Sequence, residues 1–167
     1  MSTQHYYEIL PKIKAIVLDV DGVLTDNKIL VTDNGQFLRI MNVRDGYAIK
    51  KAVLNGLKVG IITGGRSEGV VKRLQILKVE DIHIGIEDKQ PVLQTLLQQW
   101  NVLAEETAYM GDDELDIACL QFVGLPVCPQ DAMPDAMNHA IHITKLKGGE
   151  GCVRELIENI LRAKKLW

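Results

Sequence analysis

The sequence predicts an α/β protein, a Rossmann-like parallel sheet with helices on both faces, forming one domain over residues 1–167. Short β-rich apolar runs alternate with amphipathic segments, the order of a parallel βαβα sheet. Most of the runs are continuously apolar, as strands covered on both faces require. One segment, 27–43, breaks the alternation and reads as a projecting β-hairpin.

In chain order, a strand is expected over 14–20, where Ala15, Ile16, Val17 and Leu18 run together before Asp19. Within 27–43, two short strands flank Asp33-Asn34-Gly35, and Asn-Gly is a strong hairpin-turn signal. A helix over 45–55 ends at Gly56, a natural C-terminal cap. Strands over 58–63, 82–86, 107–111, 125–128 and 140–144 follow, with helices over 67–78, 91–100 and 114–122 between them. In the first of these helices Val70, Val71, Leu74 and Leu77 recur at helical spacing. The tail, about 148–167, opens with Gly148-Gly149-Glu150-Gly151, which reads as flexible enough to close over a ligand. Its helix is striped by Val153, Leu156, Ile157, Ile160 and Leu161 and ends in cations that suit the helix dipole.

Composition excludes several classes. Hydrophobic residues make up 47% of the 167, enough for a packed core. The 19 basic and 22 acidic residues give a net charge of −3 without a Lys/Arg run, so neither nucleic acid nor a membrane surface is expected as a partner. No apolar stretch reaches membrane-spanning length, and residues 1–11 lack the basic start and apolar run of a signal peptide. Cys119, Cys128 and Cys152 are odd in number and lack metal-ligand spacing, so they read as reduced, buried thiols of a cytoplasmic protein.

Ligand sites in open parallel sheets lie beyond the carboxyl ends of the strands, and the candidate residues gather there. Asp19 and Asp21 close the first strand; residues two apart point to the same side, so the pair addresses one ligand. Their mutual repulsion calls for a cation or a shared proton. Thr63-Gly64-Gly65-Arg66 joins a strand to a helix, and its small residues let backbone N–H groups approach an anion. Gly111-Asp112-Asp113 ends a third strand, with Asp116 one turn on. An all-oxygen carboxylate cluster of this kind suits Mg²⁺, which keeps several waters and meets substrate phosphate. Lys89, ahead of the 91–100 helix, is placed to neutralise nucleophile and phosphate together. Asp116 either orients Lys89 or caps a helix. Singly, each residue also reads as a turn former, a cap or a surface lysine; their joint order points to chemistry.

The order Asp19-x-Asp21-Gly-Val, Thr63-Gly, Lys89 and Gly-Asp112-Asp113-x-x-Asp116 resembles the four motifs of the haloacid dehalogenase superfamily of phosphohydrolases, over about residues 13–155. Asn42-Val43-Arg44-Asp45-Gly46, the hairpin before it and the segment from Gly148 to Glu155 resemble the 3-deoxy-D-manno-octulosonate 8-phosphate phosphatases, small capless tetramers of lipopolysaccharide sugar synthesis. The resemblance implies an Asp19 nucleophile that also binds Mg²⁺. It implies Asp21 as general acid and base, ligating the metal through its backbone carbonyl, and Asp112 as the third ligand. Asp113 and Asp116 support this set, while Thr63 and Lys89 hold the phosphoryl oxygens and offset their charge. Candidates for touching a phosphorylated sugar acid are Asp21, Asn42, Arg44, Asp45, Gly46, Thr63, Gly64, Arg66, Arg73 and Lys89. Arg44 and Arg73 are the candidates for its carboxylate or distal groups; a solvated helix arginine is the other reading of Arg73, and a simple turn that of Gly46. The resemblance further implies hairpins packed at a tetramer centre and a neighbour's C-terminal tail over each active site.

Two positions depart from the pattern. Gly65 stands where many relatives place an arginine, and Lys50 where they often carry one, losing a planar fork. A nine-carbon keto-deoxy sugar acid 9-phosphate is therefore the alternative substrate. A receiver-type phospho-acceptor module shares the residue types, but its phosphorylated Asp ends a middle strand, whereas here the early strand carries Asp-x-Asp-Gly. A phosphosugar mutase would insert a helical cap after the first motif; only about 20 residues separate Asp21 from Arg44, room for a hairpin alone. A catalytically silent scaffold fits poorly, since every motif residue is present.

Overall fold

The computed structural model describes residues 3–167, with side-chain surroundings from Tyr6 onward; Met1 and Ser2, part of the 1–11 segment read for a leader, lie outside the described residues. In order the elements are α1 (Thr3–Ile9), β1 (Ala15–Leu18), β2 (Leu30–Val31), β3 (Phe37–Leu38), α2 (Val43–Leu54), β4 (Lys58–Thr63), α3 (Glu68–Ile76), β5 (Asp81–Ile84), α4 (Lys89–Trp100), β6 (Thr107–Met110), α5 (Ile117–Phe122), β7 (Leu125–Cys128), α6 (Pro134–Met137), β8 (His142–Ile143) and α7 (Cys152–Ala163).

Six strands pair in parallel in the order β5-β4-β1-β6-β7-β8. The chain builds outward from β1 first through β4 and β5, then returns to its other side for β6, β7 and β8. The strand order therefore reverses between β1 and β6, where a parallel sheet opens a crevice at its carboxyl end. In register, Leu18 stands opposite Met110, so the residues that follow, Asp19 and Gly111-Asp112, emerge side by side at that crevice.

The continuous apolar runs are explained by two separate cores. Ile16, Leu18, Ile61, Met110 and Val127 face α2, α3 and α7. Val17, Ile62, Tyr109 and Cys128 face the opposite way, against Leu93, Leu96 and Leu120 of α4 and α5. Alternate residues of one strand enter different cores, so no position of β1 is left for a polar side chain. The end of β4 is likewise buried through Thr63.

Several boundaries differ from expectation. Helix α2 starts at Val43, because the Asn42 side chain accepts the Arg44 N–H at 2.8 Å and caps it. Residues 114–116 form a 3-10 turn ahead of α5, and the strand expected over 140–144 shortens to β8. The short helices α1 and α6 were not anticipated; neither has enough turns to display a periodicity.

The hairpin expected over 27–43 is present, with Leu30 opposite Leu38 and Val31 opposite Phe37. Its turn is wider than a two-residue Asn-Gly loop. Gly35 N–H bonds to Thr32 O at 2.9 Å and Gly35 alone takes the positive φ (80°), leaving Asn34 in ordinary conformation. Ile29, Leu30, Val31, Phe37, Leu38 and Ile40 are all exposed, Ile40 at 81%. Among the described residues no helical insertion separates β1 from α2.

The segment 148–151 is not the free strap that its glycines suggest. A Cβ on Gly148 would lie 2.0 Å from Gly22 O, and Gly149 N–H bonds to Val23 O at 3.0 Å. Gly148 N–H bonds to Asp131, and Asn42 Nδ2 bonds to Gly149 O at 2.9 Å. The glycines allow close backbone packing beneath the loop after Asp21, so they fasten that loop rather than close over a ligand.

Candidate active site

The loops that leave β1, β4 and β6 meet in a cleft of about 250 Å³ lined by Asp19, Asp21, Asn27, Thr63, Gly64, Gly65, Lys89, Asp112, Asp113, Leu115 and Asp116. A larger cavity of about 460 Å³ lies between α2 and α7 and is lined by Arg44, Leu146, Glu150, Arg154, Glu155 and Glu158. The smaller cleft carries the chemistry, because it holds the buried carboxylates at the switch point.

Asp19 and Lys89 are 6% and 3% exposed. Lys89 Nζ lies 2.9 Å from Asp19 Oδ2 and 2.8 Å from Asp116 Oδ1. Asp116 is fully engaged: its Oδ1 also accepts the Tyr109 hydroxyl at 2.6 Å, and its Oδ2 accepts Asp112 N–H at 2.9 Å and Asp113 N–H at 3.3 Å. Both readings of Asp116 hold: Oδ1 orients Lys89, and Oδ2 on the Asp113 N–H completes a capping box at the 3-10 turn 114–116. Asp19 Oδ1, by contrast, is buried without any partner. A buried carboxylate oxygen left bare costs free energy unless something cationic meets it.

Carboxylate oxygens of Asp19, Asp112 and Asp116 lie within 4.8 Å of one another. Burial and the negative charge of Asp116 push Asp19 up from 3.8 to about 6, with Lys89 opposing. Burial, then Asp116, Asp19 and Asp113, push Asp112 up to about 8. These are carboxylates that proximity holds towards protonation, and a divalent cation would restore them to the charged form. The donor set is all oxygen, so the residues present fit Mg²⁺. Gly22 makes room for the Asp112 carboxylate: φ is +81°, and a Cβ there would lie 2.0 Å from Asp112 Oδ2. Asn27, which the sequence reading passed over, donates from Nδ2 to Asp112 Oδ2 at 3.3 Å.

Asp21 is turned away from the Asp19–Asp112 pair. Both of its oxygens are held by Arg39, Nε to Oδ1 at 2.6 Å and Nη2 to Oδ2 at 2.8 Å. Its side chain is thus not in the carboxylate triad. Arg39 was missed in the sequence because it lies in the hairpin, 18 residues from Asp21, with no motif around it. Thr63 ends β4 almost fully buried, its Oγ1 accepting Gly65 N–H at 3.2 Å. Gly64 lines the cleft as expected.

The other substrate candidates lie elsewhere. Arg44 is exposed and borders the α2–α7 cavity. Asp45 is buried and accepts the Arg154 N–H at 2.6 Å, so it caps the start of α7 from α2; burial pushes it up to about 6. A Cβ on Gly46 would lie 2.6 Å from an Arg73 Nη, so this glycine seats α2 against α3, and Arg73 packs there. Arg66 lies beside Gly85, whose notional Cβ would be 2.9 Å from its guanidinium. Asn42 caps α2 and ties Gly149. None of these five side chains lines the acidic cleft.

The sequence profile of the haloacid dehalogenase-like hydrolases matches residues 78–156. The 3-deoxy-D-manno-octulosonate 8-phosphate phosphatase of Escherichia coli K12 is 38% identical over 152 residues, 91% of this chain and 81% of that protein. The crystal structure of the Yersinia pestis phosphatase of that name superposes with a TM-score of 0.95 at 34% identity, covering 97% of this chain and 88% of the other. The Moraxella catarrhalis phosphatase, solved with magnesium, phosphate and the KDO molecule, superposes with a TM-score of 0.95 at 29% identity, covering 98% and 94%. The similarity to these enzymes extends along nearly the whole chain, so the receiver-type alternative is set aside. The chain belongs to the 3-deoxy-D-manno-octulosonate 8-phosphate phosphatase family of haloacid dehalogenase-like hydrolases.

Proposed function

We propose that the chain is a Mg²⁺-dependent phosphomonoesterase that hydrolyses 3-deoxy-D-manno-octulosonate 8-phosphate through an aspartyl-phosphate on Asp19. The observation that carries this reading is the state of Asp19: one oxygen on Lys89, the other buried and bare, beside Asp112. The relatives named for this substrate supply its identity.

Asp19 and Asp112, with the backbone carbonyl of Asp21 by family resemblance, would hold the cation. When bound, Mg²⁺ supplies positive charge to the carboxylates and to the phosphoryl oxygens. The Asp19 carboxylate attacks phosphorus, forming a new P–O bond while the bond to the sugar oxygen breaks. Asp21 gives that oxygen its proton. In the second half Asp21 takes a proton from water, whose oxygen displaces Asp19 and releases inorganic phosphate. Thr63 donates its hydroxyl to a phosphoryl oxygen, and Lys89 offsets the charge that collects there.

The assembly is read as a homotetramer. A two-stranded ribbon with six exposed apolar side chains is marginal alone, and burial against symmetry mates relieves it. Lys164–Trp167 pack on their own chain, with Trp167 beside Tyr47, Lys51 and Arg154, so a tail that covers a neighbour's cleft would first have to leave this seat. The three cysteines are buried and unpaired, with burial pushing Cys119 and Cys128 up to about 12, as inert thiols of a cytoplasmic enzyme of lipopolysaccharide synthesis would be.

Phosphate release from a panel of sugar phosphates and sugar acid phosphates tests the reading. Turnover of the octulosonate phosphate is expected with Mg²⁺ and not in excess chelator. A panel in which it is no better than glucose 6-phosphate would remove the substrate assignment, and full activity in chelator the metal.

A further inference from the structure

Arg39 is the one arginine, among the described residues, that the fold delivers to Asp21. It stands just after β3, at the base of the hairpin, with its side chain only 8% exposed. Its guanidinium meets the carboxylate of Asp21 in a two-point fork at 2.6 and 2.8 Å. Asp21 is the residue that has to carry a proton to the leaving oxygen. The fork takes one acceptor site on each oxygen and turns the edge between them to Arg39, so a proton and a leaving oxygen have to compete with the guanidinium for that edge. A productive complex is favoured when Arg39 gives Asp21 up and another anion takes the guanidinium's charge.

Gly65 shows whose place Arg39 holds. A Cβ at residue 65 would lie 3.1 Å from Arg39 Nη2, 3.2 Å from Asp21 Oδ2 and 3.5 Å from Thr63 Oγ1. The guanidinium thus occupies the volume into which a side chain at 65 would project, the position where many relatives carry arginine. The same charge arrives here from the hairpin instead of the β4–α3 loop. Of the other candidate cations, Lys89 is paired with Asp19 and Asp116, Arg66 lies beside Gly85 and Arg73 beside Gly46, and Arg44 borders the α2–α7 cavity.

We propose that Arg39 is the specificity-determining residue for the substrate's second anionic group: it rests on Asp21 in the empty site and transfers to the substrate's carboxylate when the sugar acid phosphate binds. The transfer frees Asp21 for proton transfer only when the bound molecule carries that second anion. The proposal rests on the phosphatase reading above. It makes recognition and activation one event, because a neutral sugar phosphate leaves the fork on Asp21.

The test compares wild type, Arg39→Ala and Arg39→Ala/Gly65→Arg in full-length protein with Mg²⁺. The substrates are 3-deoxy-D-manno-octulosonate 8-phosphate and glucose 6-phosphate, with kcat and KM obtained separately from phosphate release. Losing a charge-assisted contact should lower kcat/KM for the sugar acid by about ten- to a hundredfold more than for the neutral ester, with a raised KM. The double variant should recover part of the preference, since an arginine from residue 65 enters the vacated volume. If Arg39→Ala lowers both substrates in the same proportion, Arg39 acts only through Asp21 and the proposal is overturned while the phosphatase reading stands. A double variant no more selective than Arg39→Ala overturns the shared-place argument. If wild type releases phosphate from neither ester, the phosphatase reading fails and this proposal with it.

Discussion

Lys89 Nζ lies 2.9 Å from Asp19 Oδ2, and both side chains are withdrawn from water. One ammonium joins the nucleophile to Asp116, which itself is anchored by Tyr109 and two backbone N–H groups. Removing one partner of such a buried network leaves the other charges uncompensated. Lys89→Ala should cost about 3–5 kcal/mol of stability in metal-free protein and lower kcat by about a hundredfold or more. Chemical denaturation and steady-state assays measure the two; a variant as stable and active as wild type would show the network to be inert.

Asp19→Asn should leave the fold intact and reduce turnover below a percent of wild type. The carboxamide keeps the shape and an oxygen for Lys89 but is a poor nucleophile. Circular dichroism checks the fold, and retained turnover at wild-type level would take Asp19 out of the nucleophile's role.

Metal dependence should itself depend on pH. Folding raises Asp112 from 3.8 to about 8 and Asp19 from 3.8 to about 6, so the folded state binds these protons more tightly than the unfolded chain. The associated stability is full below the unfolded values and is lost as pH rises towards 8. Protons and Mg²⁺ compete for the same oxygens, so added Mg²⁺ should raise Tm little at pH 5 and progressively more up to pH 8. A Tm increment independent of pH would contradict this. Asp19→Asn should shrink the increment at every pH.

Asp45→Ala should destabilise by about 0.5–2 kcal/mol, the ordinary cost of a lost cap, because Asp45 accepts the Arg154 N–H at the start of α7. Urea titration reads it. An unchanged midpoint would show that α7 does not depend on this bond.

Leu30→Lys with Phe37→Glu should convert a tetramer to smaller species. Both side chains are exposed on the hairpin of the single chain, at 62% and 60%. Light scattering at micromolar concentration decides; a wild-type monomer would remove the proposed role of the ribbon.

Much of this protein was legible from residues close together in the chain. Ala15–Leu18 followed by Asp19 reads as a doubly covered strand with an acid at its end, because a strand's side chains and its terminus depend on local periodicity. The Asp112–Asp116 spacing, Lys89 at the start of α4 and the hairpin around Gly35 are local in the same sense. The joint order of these signals was enough to assign fold and family. What the tertiary structure decided were pairings across long separations. Arg39 meets Asp21, Asp45 caps α7 across 109 residues, and Gly148 lies against Gly22. Arg44, Arg66 and Arg73 are cations near the motifs in sequence, yet the structure turns them to α7, Gly85 and Gly46. A charge in a sequence has a sign but no direction; which partner it meets is set by the close packing of helices and loops that share no local pattern.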